Sequence, residues 1–300
     1  MTLPRSVRIV EVGPRDGLQN EARVLPVAVK TELIDRLAAC GLRTVEAGAF
    51  VSPKWVPQMA DSAEVMRTLP RREGVAYPVL VPNLQGLEAA LAAGAREVAI
   101  FAAASESFSQ KNINCSVAES IERFRVVADA AKAAGVRVRG YVSCALGCPY
   151  EGEVAPKAVA DLTRTLFELG CYEVSLGDTI GVGTPLRVKA LVEAVARRAP
   201  LKKIAGHFHD TYGMAVANVY SALEMGVAAF DASVAGLGGC PYAQGATGNV
   251  ATEDLVWLLQ GLGIDTGIDL VRLAETGQWI SQQIGRESNS RVGRALMSRR

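Results

Sequence analysis

The chain of 300 residues contains only two histidines, and they lie one residue apart in the stretch His207-Phe208-His209-Asp210, at the end of an apolar run. Because side chains alternate along a strand, both imidazoles project from one face and Phe208 projects from the other. Two core histidines bonded to each other would satisfy this spacing. A pair at a strand end is also typical of a metal site, since neutral imidazole is a common ligand. The pattern favours the metal site.

Two histidines do not complete a coordination shell, and two oxygen donors are candidates for the remainder. Asp16 lies next to Arg15 in an exposed-looking turn after the first predicted strand, where a solvated pair is the plain alternative. Asn249 precedes a helix predicted from Val250, so it could cap that helix or ligate a metal through its amide oxygen. Two imidazoles, a carboxylate and an amide suit Mg²⁺ or Mn²⁺, with positions left for substrate, and differ from a closed structural zinc site.

Further charged residues close other predicted strands. Glu46 ends the second strand and Asp178 ends the sixth, and either could cap the helix that follows. With Arg15 and Asp16 they would place opposite charges around one edge of the fold. Such charges hold metal ligands and substrate in position.

A glycine-rich loop precedes Asn249. Residues 236–249 contain five glycines, which predicts a mobile lid or a close backbone approach. Cys240 lies in this loop and could serve there as an acid or base. The alternative is a loop cysteine without a role.

The elements that must position these residues follow a loose repeat of amphipathic helix, glycine and short apolar strand. Helix 26–40 before Gly41 and helix 117–134 before Gly135 are examples. Repeated alternation of this kind predicts an α/β fold, an eight-stranded (β/α)8 TIM barrel, whose chemistry lies at the carboxyl ends of its strands. A doubly wound open sheet is the alternative, but the turn at residues 13–17 lacks its GxGxxG spacing. The predicted strands are 7–12, 44–47, 75–81, 97–101, 136–142, 172–176, 203–208 and 229–234.

The whole chain, 1–300, is predicted to form one catalytic domain. The barrel would span about 7–262, and a helical extension would span about 269–285 with a helix at 270–284. The arginine-rich remainder, 286–300, is predicted to be a loose tail.

Composition excludes several classes of protein. The chain has 32 Lys and Arg against 31 Asp and Glu, so no basic excess suggests nucleic acid or a membrane surface as a partner. No apolar run reaches about 18 residues, so no membrane span is expected. The start of the chain shows no signal peptide, and the six scattered cysteines form no CxxC pair. We therefore expect free thiols and a cytoplasmic location.

Five segments of the chain resemble the 3-hydroxy-3-methylglutaryl-CoA lyase family. The HxHD stretch is shared with a wider group of metal-dependent barrels that make or break carbon–carbon bonds next to a carbonyl. The stretches FVSPKWVPQM and GGCPYA are narrower and point to the lyases. The resemblance covers about residues 7–284, and the segments are 13–20, 50–59, 175–181, 207–211 and 238–243.

This resemblance implies an eight-stranded α/β barrel that cleaves 3-hydroxy-3-methylglutaryl-CoA to acetyl-CoA and acetoacetate, as in leucine catabolism. It implies a divalent metal, Mg²⁺ or Mn²⁺, an acyl-CoA thioester substrate and a homodimer. Three alternatives stay open: a lyase for a longer branched 3-hydroxyglutaryl-CoA, a CoA-dependent condensing synthase, and a non-catalytic barrel that binds metal or CoA. The implied metal ligands are Asp16, His207, His209 and Asn249.

The resemblance also implies roles for other residues. Arg15 would neutralise charge on the thioester oxygen, with support from Glu46 and Asp178, and Cys240 on the lid would move a proton. The base for the substrate hydroxyl stays open between Asp16, a histidine such as His207 and a hydroxide on the metal. Expected substrate contacts are Arg15, Glu46, Gln19 and, in a polar loop at 109–112, Lys111 and Asn112.

Overall fold

A computed structural model describes residues 3–239 and 248–298 of the chain. Nine parallel strands form one curled sheet with helices around it, in the order β2-β1-β9-β8-β7-β6-β5-β4-β3. The strands are β1 (Arg8–Glu11), β2 (Thr44–Val45), β3 (Gly48–Ala49), β4 (Val79–Leu80), β5 (Glu97–Ala103), β6 (Arg137–Ser143), β7 (Glu173–Asp178), β8 (Ile204–Phe208) and β9 (Ala229–Ala232).

The α/β fold of the TIM-barrel kind is confirmed, although the sheet has nine strands and not the predicted eight. The difference arises because the predicted second strand is interrupted after Val45. The backbone N–H of Glu46 donates to Glu11 at 2.8 Å, whereas that of Ala47 donates to Pro78 at 2.9 Å. The two ends of the sheet therefore belong to one segment, 44–49, and Glu46 lies at the break.

Helices cover the outside of this sheet, and several begin or end where the sequence predicts. The helix α5 begins with a capping box between Ser116 and Glu119, and α10 begins at the cap Asp269 and spans the predicted 270–284. The helices are α1 (Val27–Ala39), α2 (Ser62–Thr68), α3 (Leu84–Ala92), α4 (Glu106–Ile113), α5 (Val117–Ala133), α6 (Pro156–Glu168), α7 (Pro185–Ala196), α8 (Ala215–Glu224), α9 (Thr252–Gly261), α10 (Leu270–Ile284) and α11 (Arg291–Met297).

Charged side chains fill part of the space inside the curled sheet. Arg139 on β6 donates to Asp231 on β9 at 2.7 Å and to Glu173 on β7 at 2.9 Å. Both Arg139 and Asp231 are fully buried. Since β6 and β9 are not neighbours in the sheet, a contact between them must cross the interior. The interior is therefore polar at its centre, and apolar packing holds the helices outside.

Three local expectations are wrong. Residues 109–112, expected as a polar loop, lie within α4. The helix expected from Val250 begins at Thr252, and its cap position is Ala251, so Asn249 does not cap it. The end of the chain is not a loose tail, because it contains α11 and Ser290 donates to Asp254 at 2.6 Å.

Two findings bear on the chemical setting. The five cysteines within the described residues are free and buried, as expected. None of the described helices is long and apolar enough to cross a membrane.

Replacement of Gly41 by Ala should destabilise the fold strongly. Gly41 ends α1 with φ of 105°, and a Cβ there would lie 2.1 Å from the carbonyl oxygen of Gly267. Strain and clash together should cost about 3 kcal/mol or more. Gly135 ends α5 with φ of 68° and open space around its Cβ position, so Gly135→Ala should cost only about 1 kcal/mol. Urea denaturation of both variants checks this, and equal losses would contradict it.

Candidate active site

The turn Gly13–Gly17 carries Arg15 and Asp16, and it follows β1 at the carboxyl edge of the sheet. The carboxylate of Glu11 accepts the N–H of Gly13 at 2.8 Å and the N–H of Val234 at 2.9 Å. A Cβ on Gly17 would lie 2.6 Å from Ser233 Oγ, so the turn packs tightly against the segment after β9. The turn that the sequence suggests to be exposed is therefore packed against the sheet, and contacts with Glu11 and Ser233 fix its backbone.

Asp16, His207 and His209 form a cluster with one potential ligand atom each, all within 4.8 Å of one another. The two Nε2 atoms are 3.2 Å apart, and Asp16 Oδ2 is 3.9 Å from Nε2 of His207. Neighbouring ligands about 2.1 Å from an ion with octahedral geometry are about 3.0 Å apart. The cluster therefore fits a divalent metal if its ligand atoms move slightly closer together. Both imidazoles are buried.

Asn249 lies beside this cluster, bridged to His209 through the backbone. Its Nδ2 donates to Asp16 Oδ2 at 2.8 Å and to the carbonyl oxygen of Leu237 at 3.2 Å. The structure thus brings all four predicted metal ligands together. The amide presents its nitrogen to Asp16, so ligation through Oδ1 would need the amide to turn.

The electrostatics of the cluster favour the ligand forms of Asp16 and His209. Burial alone would raise the pKa of Asp16, but Arg15 and the two histidines outweigh it and bring the pKa to about 2. Burial and the neighbouring His207 lower the pKa of His209 to about 4. Burial also acts to lower the pKa of His207, yet Asp231 raises it above its ordinary value. At neutral pH Asp16 is therefore a carboxylate and His209 a neutral imidazole, as metal ligands must be.

Arg15 is buried and held by two carboxylates. Its Nε donates to Glu46 Oε2 and its Nη1 donates to Asp16 Oδ1, each at 2.7 Å. Its guanidinium lies over the ring of Tyr141, with the carbon 5.5 Å from the ring centroid. Among the described residues, Glu46 Oε1 is buried and has no hydrogen-bond partner. Arg15 and Glu46 are therefore fixed in orientation next to the metal cluster.

Asp178 ends β7, as predicted, and supports a loop. Its carboxylate accepts the N–H groups of Val182 at 3.1 Å and Gly183 at 2.8 Å. Burial raises its pKa to about 6 against the lowering effect of these N–H groups. Its hydrogen bonds within the described residues go to the loop backbone, so the structure links it to the ligands only through charge.

The remaining predicted residues are less closely placed. Gln19 follows the Gly13–Gly17 turn and is half-buried. Lys111 and Asn112 are exposed on α4, and Lys111 Nζ lies 4.0 Å from the centroid of the Tyr150 ring. Cys240 lies outside the described residues.

Several residues at the site are absent from the sequence prediction. Tyr141 donates to Glu46 Oε2 at 3.3 Å, and nothing in the sequence marks it. Asp231 was detectable in principle, because it is the lone charge of the apolar stretch 229–234, and so was Glu11, because Val10 and Val12 flank it. Burial raises the pKa of Glu11 to about 7 and that of Glu253, which accepts from Ala235, to about 8. Glu11 and Glu253 hold the backbone of the segments that carry the site, because they accept N–H groups of residues 13, 234 and 235.

Fold and cluster together define an α/β-barrel protein with a candidate divalent-metal site at the carboxyl edge of its sheet. The chain belongs to the HMGL-like family, which it matches over residues 6–280.

Comparisons with individual proteins agree with this membership. The chain is 62% identical over 295 residues to hydroxymethylglutaryl-CoA lyase from Pseudomonas mevalonii, covering 98% of both proteins. It is 59% identical over 299 residues to the 3-hydroxy-3-isohexenylglutaryl-CoA/hydroxy-methylglutaryl-CoA lyase of Pseudomonas aeruginosa, covering 100% of each.

Solved structures show the same likeness. The crystal structure of hydroxymethylglutaryl-CoA lyase from Pseudomonas aeruginosa superposes with a TM-score of 0.98 at 59% identity, covering 100% of both chains. An HMG-CoA lyase from Acinetobacter baumannii, in complex with coenzyme A and 3-methylmalate, superposes with a TM-score of 0.94 at 35% identity. That match covers 98% of this chain and 97% of the other.

Replacement of Asp16 by Asn should weaken metal binding by at least about tenfold, because it removes the negative charge of the ligand set. The Kd for Mn²⁺, measured by isothermal titration calorimetry, checks this. Asp210→Asn is the matched control. Asp210 follows His209 directly, but its carboxylate accepts from Ala215 N at 2.9 Å and pairs with Arg291. Equal effects of the two substitutions would argue against Asp16 as a ligand.

Proposed function

We propose that this chain is a divalent-metal lyase that cleaves 3-hydroxy-3-methylglutaryl-CoA to acetyl-CoA and acetoacetate. One observation carries the proposal: the Asp16, His207 and His209 cluster lies beside a buried arginine that is already bonded to Asp16. Such a site combines a place for a Lewis acid with a fixed cation, and enolate-forming cleavage needs both. The relatives named as lyases, at about 60% identity over nearly the whole chain, support the choice of substrate.

The proposed metal is Mg²⁺ or Mn²⁺, held by Asp16, His207, His209 and Asn249. When bound, the metal supplies Lewis acidity, which favours loss of the proton from the C3 hydroxyl group of the substrate. Mixed nitrogen and oxygen ligands on an open site suit these ions and differ from a closed structural zinc site.

The proposed cleavage breaks the C2–C3 bond of the substrate. The C3 hydroxyl group gives up its proton, and its oxygen becomes the ketone oxygen of acetoacetate. The electron pair of that bond moves onto the thioester as an enolate, whose C2 then takes a proton to give acetyl-CoA. The reaction therefore requires two proton transfers and one cation that stabilises the enolate.

Arg15 is proposed to stabilise the enolate oxygen. Glu46 engages its Nε and Asp16 its Nη1, which leaves Nη2 as the guanidinium nitrogen that neither bond uses. Because the two carboxylates fix the guanidinium, its charge needs no reorganisation as the enolate develops. Oε1 of Glu46, buried and unpartnered among the described residues, is a further acceptor on the carboxylate that holds Arg15. Asp178 would hold the backbone of the loop after β7 in place.

Cys240 is proposed to deliver the proton to C2 of the enolate. It lies outside the described residues, so this proposal depends on the GGCPYA stretch and its resemblance to the lyases. The described flanks of the glycine-rich loop both lie at the site. Asn20 donates to the Gly239 carbonyl oxygen, and the N–H of Asp210 donates to the Gly248 carbonyl oxygen, each at 2.9 Å.

We propose that the CoA moiety approaches over α4, where Lys111 and Asn112 are exposed, and that Gln19 contacts the acyl group. The coenzyme A complex of the Acinetobacter relative supports a thioester ligand. The whole chain is proposed to act as one catalytic domain, an eight-stranded barrel in which β2 and β3 count as one interrupted strand. Homodimerisation and a cytoplasmic location stay predictions.

The proposed function predicts acetoacetate production from 3-hydroxy-3-methylglutaryl-CoA by the purified chain. An assay coupled to NADH oxidation should lose at least about 90% of its rate in EDTA and recover with excess Mg²⁺ or Mn²⁺. Activity unaffected by EDTA would contradict the metal requirement. A chain that instead condenses acetyl-CoA with a 2-oxoacid would contradict the lyase assignment.

The name of the Pseudomonas aeruginosa relative includes a second substrate, 3-hydroxy-3-isohexenylglutaryl-CoA, which can be tested on the same site. Comparison of kcat/KM for the two thioesters decides between them. A higher value for the longer thioester would make it the preferred substrate and leave the reaction type unchanged.

Replacement of Arg15 by Lys should lower kcat by about 100-fold or more, because an ammonium group cannot bond Glu46, Asp16 and the enolate oxygen in one plane. Steady-state kinetics check this. Arg72→Lys is the control, since Arg72 also binds a carboxylate bidentately, that of Asp35, but at the surface. Near-normal turnover of Arg15→Lys would contradict the enolate role.

A further inference from the structure

Asp231 binds the side of His207 that faces away from the metal cluster. Its Oδ2 lies 3.1 Å from Nδ1 of His207 and accepts a hydrogen bond from Ser175 Oγ at 2.7 Å. Its Oδ1 accepts from Arg139 Nη2 at 2.7 Å. The side chain is fully buried, so these contacts replace all of its water. Asp231 is not among the residues assigned to the reaction above.

The contact determines which nitrogen of His207 can bind a metal. Arg139, a permanent cation, donates to one oxygen of Asp231 and Ser175 donates to the other, so Asp231 is present as a carboxylate. An ionised carboxylate only accepts hydrogen bonds, so Nδ1 of His207 must carry the proton. In the neutral ring the lone pair is then on Nε2, the atom that faces His209 and Asp16.

Asp231 is itself held by a chain of ion pairs that crosses the interior of the sheet. Arg139 Nε donates to Glu173 Oε1 at 2.9 Å, and Arg8 contacts the other oxygen of Glu173. The guanidinium of Arg139 also lies over the ring of Tyr141, with its carbon 4.9 Å from the ring centroid. Side chains of β1, β6 and β7 thus hold the carboxylate of Asp231 on β9, which has little freedom to release His207.

His209 differs from its neighbour in this respect. Within the described residues its Nδ1 is buried and has no hydrogen-bond partner. Both histidines present Nε2 to the cluster, but of the two, in the described part of the chain, only His207 has a charged group in contact with its Nδ1. This difference indicates that the ring of His207 is held more firmly in orientation than the ring of His209.

We propose that Asp231 is a positioning residue that fixes the ring orientation and the Nδ1–H tautomer of His207, and so prepares Nε2 to bind the divalent metal. This inference rests on the metal site of the proposed function. Carboxylates behind metal-bound histidines typically change metal affinity by about 10- to 100-fold when they are mutated.

The test is the Kd for Mn²⁺ of the full chain, measured from the free-ion signal in electron paramagnetic resonance. Asp231→Asn should raise this Kd by about 10- to 100-fold. Glu173→Gln is the matched control, because Glu173 is a buried carboxylate on the same arginine but does not touch His207. It should lower stability and leave the Kd for Mn²⁺ within about threefold of the wild type. Equal Kd values for Asp231→Asn and the wild type would overturn the proposal.

A second measurement on the wild type covers the case in which Asp231→Asn does not fold. With only two histidines in the chain, ¹⁵N–¹H correlation spectra can resolve all four ring nitrogens. With Mg²⁺ bound, His207 should carry its proton on Nδ1. A proton on Nε2 would overturn the proposal. A wild type that binds no Mn²⁺ and cleaves no thioester would contradict both the proposed function and this inference. An active wild type whose Kd for Mn²⁺ is unchanged by Asp231→Asn would contradict the inference alone.

Discussion

The buried contact of Arg15 with Glu46 and Asp16 is the constraint on which the rest of the site depends. A guanidinium group without water needs acceptors with fixed geometry, and the two carboxylates come from separate strands and turns. Glu46 can reach Arg15 because the segment 44–49 breaks between β2 and β3, and Asp16 can reach it because both residues lie in the Gly13–Gly17 turn. The interruption of the second strand and the unusual turn are therefore two parts of one arrangement.

Charge continues from this contact into the interior of the sheet. The guanidinium groups of Arg15 and Arg139 both lie over the ring of Tyr141, and Arg139 binds the carboxylate that holds His207. A buried network of this kind adds little net stability over an apolar core, since desolvation offsets most of the attraction. Its value is specificity, because each member accepts only one geometry. The catalytic edge is thus built on a polar interior, while the apolar contacts between helices and strands provide most of the folding free energy.

The sequence predicts what local rules control. Helix ends at Gly41 and Gly135 follow from the left-handed backbone that these glycines adopt, and the histidine pair follows from strand alternation. Contacts between distant strands are a different matter. Nothing local pairs Arg139 with Asp231, which are 92 residues apart, and only the closure of the sheet brings them together.

Short helices escape prediction for a related reason. The helix α11 has seven residues, too few to be stable alone, and it forms against Asp254, which accepts bonds from Ser290 and from the N–H of Val292. Its existence depends on tertiary contacts. The same holds for α4, whose cap Ser105 bonds to Cys148, a residue remote in the chain.

The last segment of the chain also reaches the site. Arg286 pairs with Glu21 just after the Asp16 turn, and Asn289 donates from its backbone to Ala235 and from its side chain to Gly236, at the base of the glycine-rich loop. These residues follow every described strand in the chain, so they are synthesised after the strands of the sheet. The sheet can therefore form before the base of the loop gains these contacts. The order of the elements along the chain thus places completion of the site late in folding.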